Sequence, residues 1–268
     1  MKYALNDKRQ SIEPFSKGRA ACPVCGSAVI AKCGAHRIHH WAHQGLEKCD
    51  SWKEKETQWH RDWKNKFPAH WQEYVQKDDA GERHIADIRT DQGLVIEFQH
   101  SHLDPNEREA RELFHKKIIW VVDGTRLKKD YGRFQKSVNK FKHTKGQGLY
   151  LVPNPSDTFP ALWLNCKAPV FFDFLGTGTN SSLDKLREPL WQLLPGRRED
   201  GHAVVVAMSR EYFVAEVSRP PLPAPEPRAL PQQPLSGTAI NIAALRQIDP
   251  QLFRVIMRPQ RRPTSRRF

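Results

Sequence analysis

The chain has 268 residues, of which 38% are hydrophobic, and it carries 43 Lys and Arg against 30 Asp and Glu. This length suffices for one large domain or two modest ones, and no run of about 18 apolar residues that could span a membrane is present. The formal net charge of +13 favours a polyanionic partner, nucleic acid first. Because the first residues lack the apolar run of a secretory signal, we expect a cytoplasmic protein.

Cysteines and histidines are concentrated in residues 18–50. Two cysteines separated by two residues, with Gly26 next, can aim two thiolates at one cation. Five cysteines, an odd number, fit a metal site better than a disulfide framework. Four protein ligands would close the coordination sphere of a structural zinc ion, and His40 is an alternative third ligand. The favoured ligands are Cys22, Cys25, His43 and Cys49.

Residues 51–67 have the apolar spacing of a helix, with Ser51 as N-cap and Glu54 as its capping partner. Glu56 and His60 fall inside the apolar stripe. An unpaired buried charge is costly, so Glu56 needs either an arginine or a metal ion, and His60 is either a packed core residue or a proton relay. The stripe consists of Trp52, Trp59, Trp63 and Phe67.

A β-hairpin is predicted around residues 91–93, whose last residue is a glycine that can adopt a left-handed conformation. Setting Thr90 opposite Leu94 places Asp87 directly across from Glu97, with Cβ atoms about 4.5–5.5 Å apart. Two carboxylates at this distance repel each other unless a cation lies between them, and Mg²⁺ or Mn²⁺ is the ion that oxygen ligands favour. The alternative is a solvated hairpin, and a register shift of one residue would place the two acids on opposite faces.

These motifs resemble a known family. An acid followed by Glu-x-Gln on the next strand, after a helix that carries Glu, resembles the core of PD-(D/E)XK nucleases. More narrowly, residues 20–124 resemble the competence protein CoiA-like family. The motifs that carry the resemblance are CPVCG, HHWAH, the E-x-x-x-H of residues 56–60, HIAD, VIEFQHS, Arg111 and IIWVVDG.

The resemblance implies an α/β fold with a restriction-endonuclease-like mixed sheet flanked by helices. It implies that Glu56, Asp87 and Glu97 coordinate a catalytic Mg²⁺ or Mn²⁺. Gln99 stands where the superfamily usually has lysine and would orient water or bind a phosphate oxygen, without a positive charge. Arg111 would contact phosphate or pair with a neighbouring glutamate.

The rest of the chain is interpreted more coarsely. A helix is predicted to begin at Asp104 and Pro105, with Arg108 near its core face as a second candidate for nucleic-acid contact. Residues 219–268 contain nine Arg and half of the 20 prolines, which indicates an extended linker and a basic tail. The other predicted elements are a buried strand at 118–124, a basic helix at 127–143, strands in GLYLVP, ALWLNC and APVFFDF, a helix at 182–194, a strand at 202–208 and a short helix near residues 239–258.

The predicted organisation is therefore a zinc module in residues 1–50, a nuclease-like domain in residues 51–218 and a proline- and arginine-rich tail in residues 219–268. Its predicted function is metal-dependent hydrolysis of DNA in uptake, recombination or defence. The alternative is a nucleic-acid-binding scaffold whose catalytic site has decayed, which Gln99 favours. A third interpretation is an adaptor that recruits a protein partner through the proline-rich segment.

Overall fold

The computed structural model describes residues 1–45, 49–52, 54–146, 148–177 and 184–220. Within these ranges the chain forms a five-stranded sheet, the small sheet, and a nine-stranded sheet, the large sheet. The mixed α/β architecture agrees with the sequence-based prediction. No helix in the described ranges is long and apolar enough to cross a membrane. The helix and most of the tail predicted in residues 219–268 lie outside the described residues.

The small sheet is antiparallel, with the order β2-β1-β3-β4-β5. Its buried side chains include Val29 and Trp41, and they pack against Val75 and Ile85 of the large sheet. The two sheets therefore share one apolar cluster. The strands are β1 Ala4–Leu5, β2 Ser11–Ile12, β3 Arg19–Ala21, β4 Ala28–Lys32 and β5 His40–His43.

The large sheet is mixed, with the order β10-β11-β14-β13-β12-β9-β8-β7-β6. The neighbours β8 and β9 are parallel, as are β9 and β12, and the other neighbouring pairs are antiparallel. The strands are β6 Gln72–Lys77, β7 Arg83–Arg89, β8 Val95–Gln99, β9 Ile118–Asp123, β10 Lys142–His143, β11 Leu149–Val152, β12 Val170–Asp173, β13 Leu190–Leu193 and β14 Ala203–Met208.

Helices cover both faces of the large sheet. The helices are α1 Gln58–Lys64, α2 Pro105–His115, α3 Lys128–Val138, α4 Pro155–Thr158, α5 Ala161–Leu164 and α6 Arg210–Val217. Residues of α3 and α5 join one apolar cluster with Val95 and Trp120 of the sheet. Residues of α1 and α6 join the opposite cluster with Ile96 and Phe98. Neighbours along β8 thus point to opposite faces, as period-two alternation predicts.

Two local predictions are confirmed in the elements that flank the site. In the hairpin, Ile88 pairs with Ile96, and Gly93 has a φ of 79°, so the predicted register is present. At the start of α2, the Asp104 carboxylate accepts a hydrogen bond from the backbone nitrogen of Asn106 at 2.8 Å, and Pro105 is the first helical residue.

The helix predicted for residues 51–67 is much shorter. It begins after Thr57, whose hydroxyl caps it by accepting a hydrogen bond from the backbone nitrogen of His60, and Glu56 precedes it. Trp52 does not share a stripe with Trp59, because its ring stacks on the imidazole of His84, with ring centroids 3.3 Å apart. The prediction that Glu56 lies on the helix face is therefore wrong.

Two later predictions are also wrong. The ALWLNC segment contains α5 and not a strand. Residues 190–193, predicted as helical, form β13, which fills the position between β12 and β14. In the first segment the local preference is itself helical, because Ala161, Leu162 and Leu164 are strong helix formers. In the second, pairing with two neighbouring strands overrides the local preference.

Candidate functional site

The four predicted zinc ligands come together at the edge of the small sheet. The turn between β3 and β4 carries Cys22 and Cys25, β5 ends at His43, and Cys49 follows. Their Sγ and imidazole nitrogen atoms all lie within 4.8 Å of one another. The predicted alternative ligand, His40, is outside this group and has its Nδ1 atom 2.8 Å from the carbonyl oxygen of Ile38. The structure therefore favours His43.

The chemistry of these donors fits zinc. Three thiols and one imidazole are the soft and intermediate ligands of closed, tetrahedral zinc sites. Burial would raise the pKa of Cys25, but hydrogen bonds with Ser27, His43 and Cys22 outweigh it and lower that pKa to about 6. The thiolate is the metal-binding form, so the lowered pKa favours metal binding by Cys25. Burial and the neighbouring cysteines raise the pKa of Cys49 to about 12, so Cys49 would release its proton on binding an ion.

The residue after the last of these ligands links the cluster to the large sheet. Oδ1 of Asp50 lies 2.8 Å from Nδ1 of His84, and Oδ2 accepts a hydrogen bond from the backbone nitrogen of Ile85 at 2.9 Å. Asp50 is buried. The carboxylate next to Cys49 is thus bonded to β7, two residues from Asp87.

Asp87 in β7 and Glu97 in β8 are connected through their side chains, just beyond the last backbone pair of the two strands. The backbone pairs are Arg89–Val95 and Ile88–Ile96. One residue further, the backbone nitrogen of Asp87 donates to Oε1 of Glu97 at 3.2 Å, and that of Phe98 donates to Oδ2 of Asp87 at 3.0 Å. Both carboxylates are therefore fixed in the gap between the strands.

A cavity of about 50 Å³ lies at this gap. Three of the predicted catalytic residues, Glu56, Asp87 and Glu97, line it together with Lys64 and Arg111. The volume is small, but it exceeds the roughly 10–15 Å³ that one ordered water requires. The structure thus brings the three predicted acids to one small cavity, although Glu56 reaches it from the segment before α1.

Lys64 is a positive charge that the sequence interpretation did not include. Its Nζ atom lies 2.9 Å from Oδ1 of Asp87, 3.2 Å from Oε1 of Glu73 and 3.5 Å from Oε2 of Glu56. Burial acts to lower the pKa of Lys64, but these carboxylates raise it well above its usual value. The ammonium therefore remains charged inside the protein.

Glu97 has a different partner, Arg111 of α2. The Nη1 atom of Arg111 lies 3.2 Å from Oε2 of Glu97, and the same guanidinium bonds to Glu107. Burial, followed by the charge of Asp87, raises the pKa of Glu97 to about 8, against the opposing effect of Arg111. Glu97 therefore holds its proton to a higher pH than an exposed glutamate does.

Gln99 lies beside the cavity and does not line it. Its Nε2 atom donates to Glu54 and to the carbonyl oxygen of Ser101, the latter at 3.2 Å. Glu54, which we predicted to cap a helix, lines the cavity. The Oε1 atom of Gln99 is buried and has no hydrogen-bond partner among the described residues. Sequence reasoning missed Glu54 because its position depends on where α1 begins.

Two further candidates have mainly structural contacts. Arg108 is 2% exposed and its Nη1 atom lies 2.7 Å from Oε1 of Glu112, so a phosphate contact would first require that buried pair to break. His60 lies 2.9 Å through Nε2 from the carbonyl oxygen of Phe98 and 2.8 Å through Nδ1 from the hydroxyl of Thr57. This geometry favours a packed core histidine over a proton relay.

Comparison with known proteins yields one match. A family model described as "Competence protein CoiA, N-terminal domain" matches residues 5–51. This segment of the chain is similar to that domain. The matched range contains the small sheet except Ala4, together with all four predicted zinc ligands, and it ends before the hairpin. No curated protein matches the chain, and no solved structure does.

The acids of the cavity and the cysteine cluster differ in whether their donor atoms are arranged around one point. In the part of the chain that the structure describes, the cysteine and histidine cluster is the one group of three or more candidate ligands close enough to share an ion. At the hairpin, Lys64 lies against Asp87 and Arg111 against Glu97. A cation among these acids would therefore compete with side chains of the protein.

A larger cleft of about 730 Å³ adjoins the cavity. One side comes from β5 and the loop before it, which includes Arg37, and the other from the segment that leads to α1, which includes Lys55. Five residues line both spaces: Met1, Asp50, Glu54, Lys55 and Glu56. The cleft thus leads from the zinc module toward the acids of the hairpin.

Proposed function

We propose that the protein is a divalent-metal-dependent nuclease that hydrolyses phosphodiester bonds in DNA. The observation that carries the proposal is the pair Asp87 and Glu97, held in the gap between β7 and β8, where both line a small cavity. The mixed sheet with helices on both faces is compatible with the restriction-endonuclease-like fold that we propose for residues 51–218. Similarity of residues 5–51 to a competence protein domain supports a role in handling DNA during competence or a related process.

The lining of the cavity fits a cation that prefers oxygen ligands. Its acidic residues outnumber its lysines and arginine, so a positive ion would reduce the repulsion among them. Asp87, Glu97 and Glu56 would hold Mg²⁺ or Mn²⁺, and Glu54 is a further oxygen donor. The bound ion would activate a water molecule and neutralise the charge that develops on phosphate. The acidic lining residues are Asp50, Glu54, Glu56, Glu73, Asp87 and Glu97, and the basic ones are Lys55, Lys64 and Arg111.

The other residues of the site would position these acids. Lys64 supplies, from α1, the positive charge that Gln99 does not bring, and it holds Asp87 in place. Arg111 does the same for Glu97 from α2. Gln99 fixes Glu54. The imidazole of His60 lies 2.9 Å from the carbonyl oxygen of Phe98 and would hold α1 against β8.

A cleavage assay with an isosteric variant tests the proposal. We expect the wild-type chain to nick or degrade DNA when Mn²⁺ or Mg²⁺ is added, and Asp87→Asn to abolish cleavage. The asparagine side chain can still accept a hydrogen bond from the backbone nitrogen of Phe98, so the hairpin should stay folded. Asp79→Asn, at an exposed position with the same charge change, is the matched control and should cleave normally.

The second candidate is a nucleic-acid-binding scaffold without catalysis. The contact of Lys64 with three carboxylates favours it, because these acids already have a counter-ion. This function is supported if wild type and Asp87→Asn bind DNA equally and neither cleaves it with any divalent metal. Recruitment of a protein partner through the proline-rich segment remains a prediction, since residues 221–268 lie outside the described ranges.

A further inference from the structure

The cleft between the small sheet and the segment that leads to α1 has exposed positive charges on both of its sides. Arg37 lies in the loop between β4 and β5, and Lys55 lies between Asp50 and α1. Both side chains line the cleft and are exposed. Neither has an acidic partner among the residues that the structure describes. Their charges are therefore available to an anion that enters the cleft.

The acids of the cleft are, by contrast, already bonded. Asp50 accepts from Ile85, Glu54 from Ser101 and Glu56 from Arg61. These contacts turn the carboxylates toward the protein's own donors. An entering ligand would thus meet Arg37 and Lys55 as the unpaired charges, which favours a ligand with negative charge at more than one position.

The size of the cleft limits which polyanion can enter. A space of about 730 Å³ is within the range of roughly 300–1,000 Å³ that encloses one small-molecule ligand. It can accept about one or two nucleotides of an extended strand. In a duplex each base is paired and stacked, and moving one nucleotide out costs a few kcal/mol. A single strand enters without that cost.

We propose that this cleft binds a single strand of DNA, with its phosphates against Arg37 and Lys55, and guides it to the cavity at Asp87 and Glu97. The proposal rests on the nuclease function and adds the strandedness of its substrate. The zinc ligands His43 and Cys49 also line the cleft, so the ion that they would hold would fix the spacing of its sides.

Binding can be measured without cleavage in the full-length Asp87→Asn chain. The probe is a fluorescent single-stranded oligonucleotide. An excess of unlabelled duplex DNA is added as competitor, to occupy surfaces that bind single-stranded and duplex DNA equally, such as the arginine-rich tail. We expect the single strand to remain bound. Adding Arg37→Ala and Lys55→Ala should weaken this binding about tenfold. It should also reduce the slope of log K against log salt by about 1.4, because two phosphate contacts are lost.

The matched control replaces Lys8 and Lys17, two exposed lysines in the connections between β1, β2 and β3 that do not line the cleft. Alanine at both should change binding less than twofold. The proposal fails if the duplex displaces the single strand completely, or if the Arg37 and Lys55 substitutions have no greater effect than the control. Selective binding without cleavage by wild type would refute the nuclease function alone. Cleavage without strand selectivity would refute this inference alone.

Discussion

The ammonium nitrogen of Lys64, at the end of α1, lies 2.9 Å from Oδ1 of Asp87 in β7. This contact brings a helix and the hairpin together at the candidate active site. The resemblance places the superfamily's lysine at position 99, where this chain has glutamine. A lysine therefore does lie beside Asp87, but it is Lys64 of α1 and not a residue of β8.

Lys64→Met should strongly destabilise the protein. The substitution keeps a long apolar stem but leaves Glu73 and Asp87 without their ammonium partner, while Glu56 keeps its ion pair with Arg61. Removal of one partner from a buried ion pair costs about 3–5 kcal/mol, and we expect a loss of this order in the free energy of unfolding, measured by urea titration.

Lys66→Met, two residues later at an exposed position, is the control for the Lys64 variant. The ammonium of Lys66 lies 5.7 Å from the centroid of the Trp63 ring, so the change should lower the free energy of unfolding by no more than about 1 kcal/mol. Equal stability of the two variants would mean that the contacts of Lys64 with the acids contribute nothing to the fold.

Glu97 should make stability depend on pH when no Mg²⁺ or Mn²⁺ is added. Burial and the charge of Asp87 raise its pKa in the folded protein from 4.5 to about 8, so between these values the unfolded chain releases a proton that the folded chain keeps. Protonation of Glu97 therefore stabilises the folded state fully below about pH 4.5, and this stabilisation is lost as the pH rises to about 8. Glu97→Gln should therefore gain stability relative to wild type across this interval.

Urea titrations of both proteins at several pH values between 5 and 8 would measure that difference. The comparison uses the pH dependence and not the absolute stability, because glutamine also changes the hydrogen bonds with Asp87 and Arg111. A constant difference between the two proteins over this interval would contradict the raised pKa of Glu97.

The hairpin could be predicted because its determinants are local. The left-handed glycine at position 93 fixes the turn, and alternation along the following strand fixes which side chains are buried. Together these features place Asp87 beside Glu97. The zinc ligands could also be predicted from the sequence, since their spacing limits which residues can surround one ion.

The residues around the acids could not be predicted in the same way. The tryptophans at positions 52 and 59 fit one helical stripe in sequence, yet Trp52 packs on His84 of β7. The apolar spacing alone could not show that α1 begins only after Thr57, or that Glu54 lies at the cavity. Similarly, β13 forms because the large sheet has a position for it between two strands.

The zinc site predicts a sharp difference between cysteines. We expect about one zinc ion per chain in wild type, measured by elemental analysis after mild chelation, and loss of this ion in Cys49→Ser. Cys33→Ser is the control, because Cys33 is in the same module but outside the four-residue cluster.

His43→Asn should release zinc and His40→Asn should retain it. Equal zinc loss in the two histidine variants would contradict the assigned ligand set.

Residues 221–268 should increase nucleic-acid affinity in a salt-dependent way. They contain eight Arg and two acidic residues, and each phosphate contact adds about 0.9 to the slope of log K against log salt for duplex DNA. A chain that ends at Pro220 keeps the ion pair between Arg219 and Glu216 and should lose at least about 2 units of slope. A full-length chain with glutamine at those eight positions should behave identically if charge is the cause. Unchanged slopes would mean that the tail does not contact DNA. Cleavage at low salt should persist in the shortened chain, because Asp87 and Glu97 are far from the deleted segment in sequence and are held by β7 and β8.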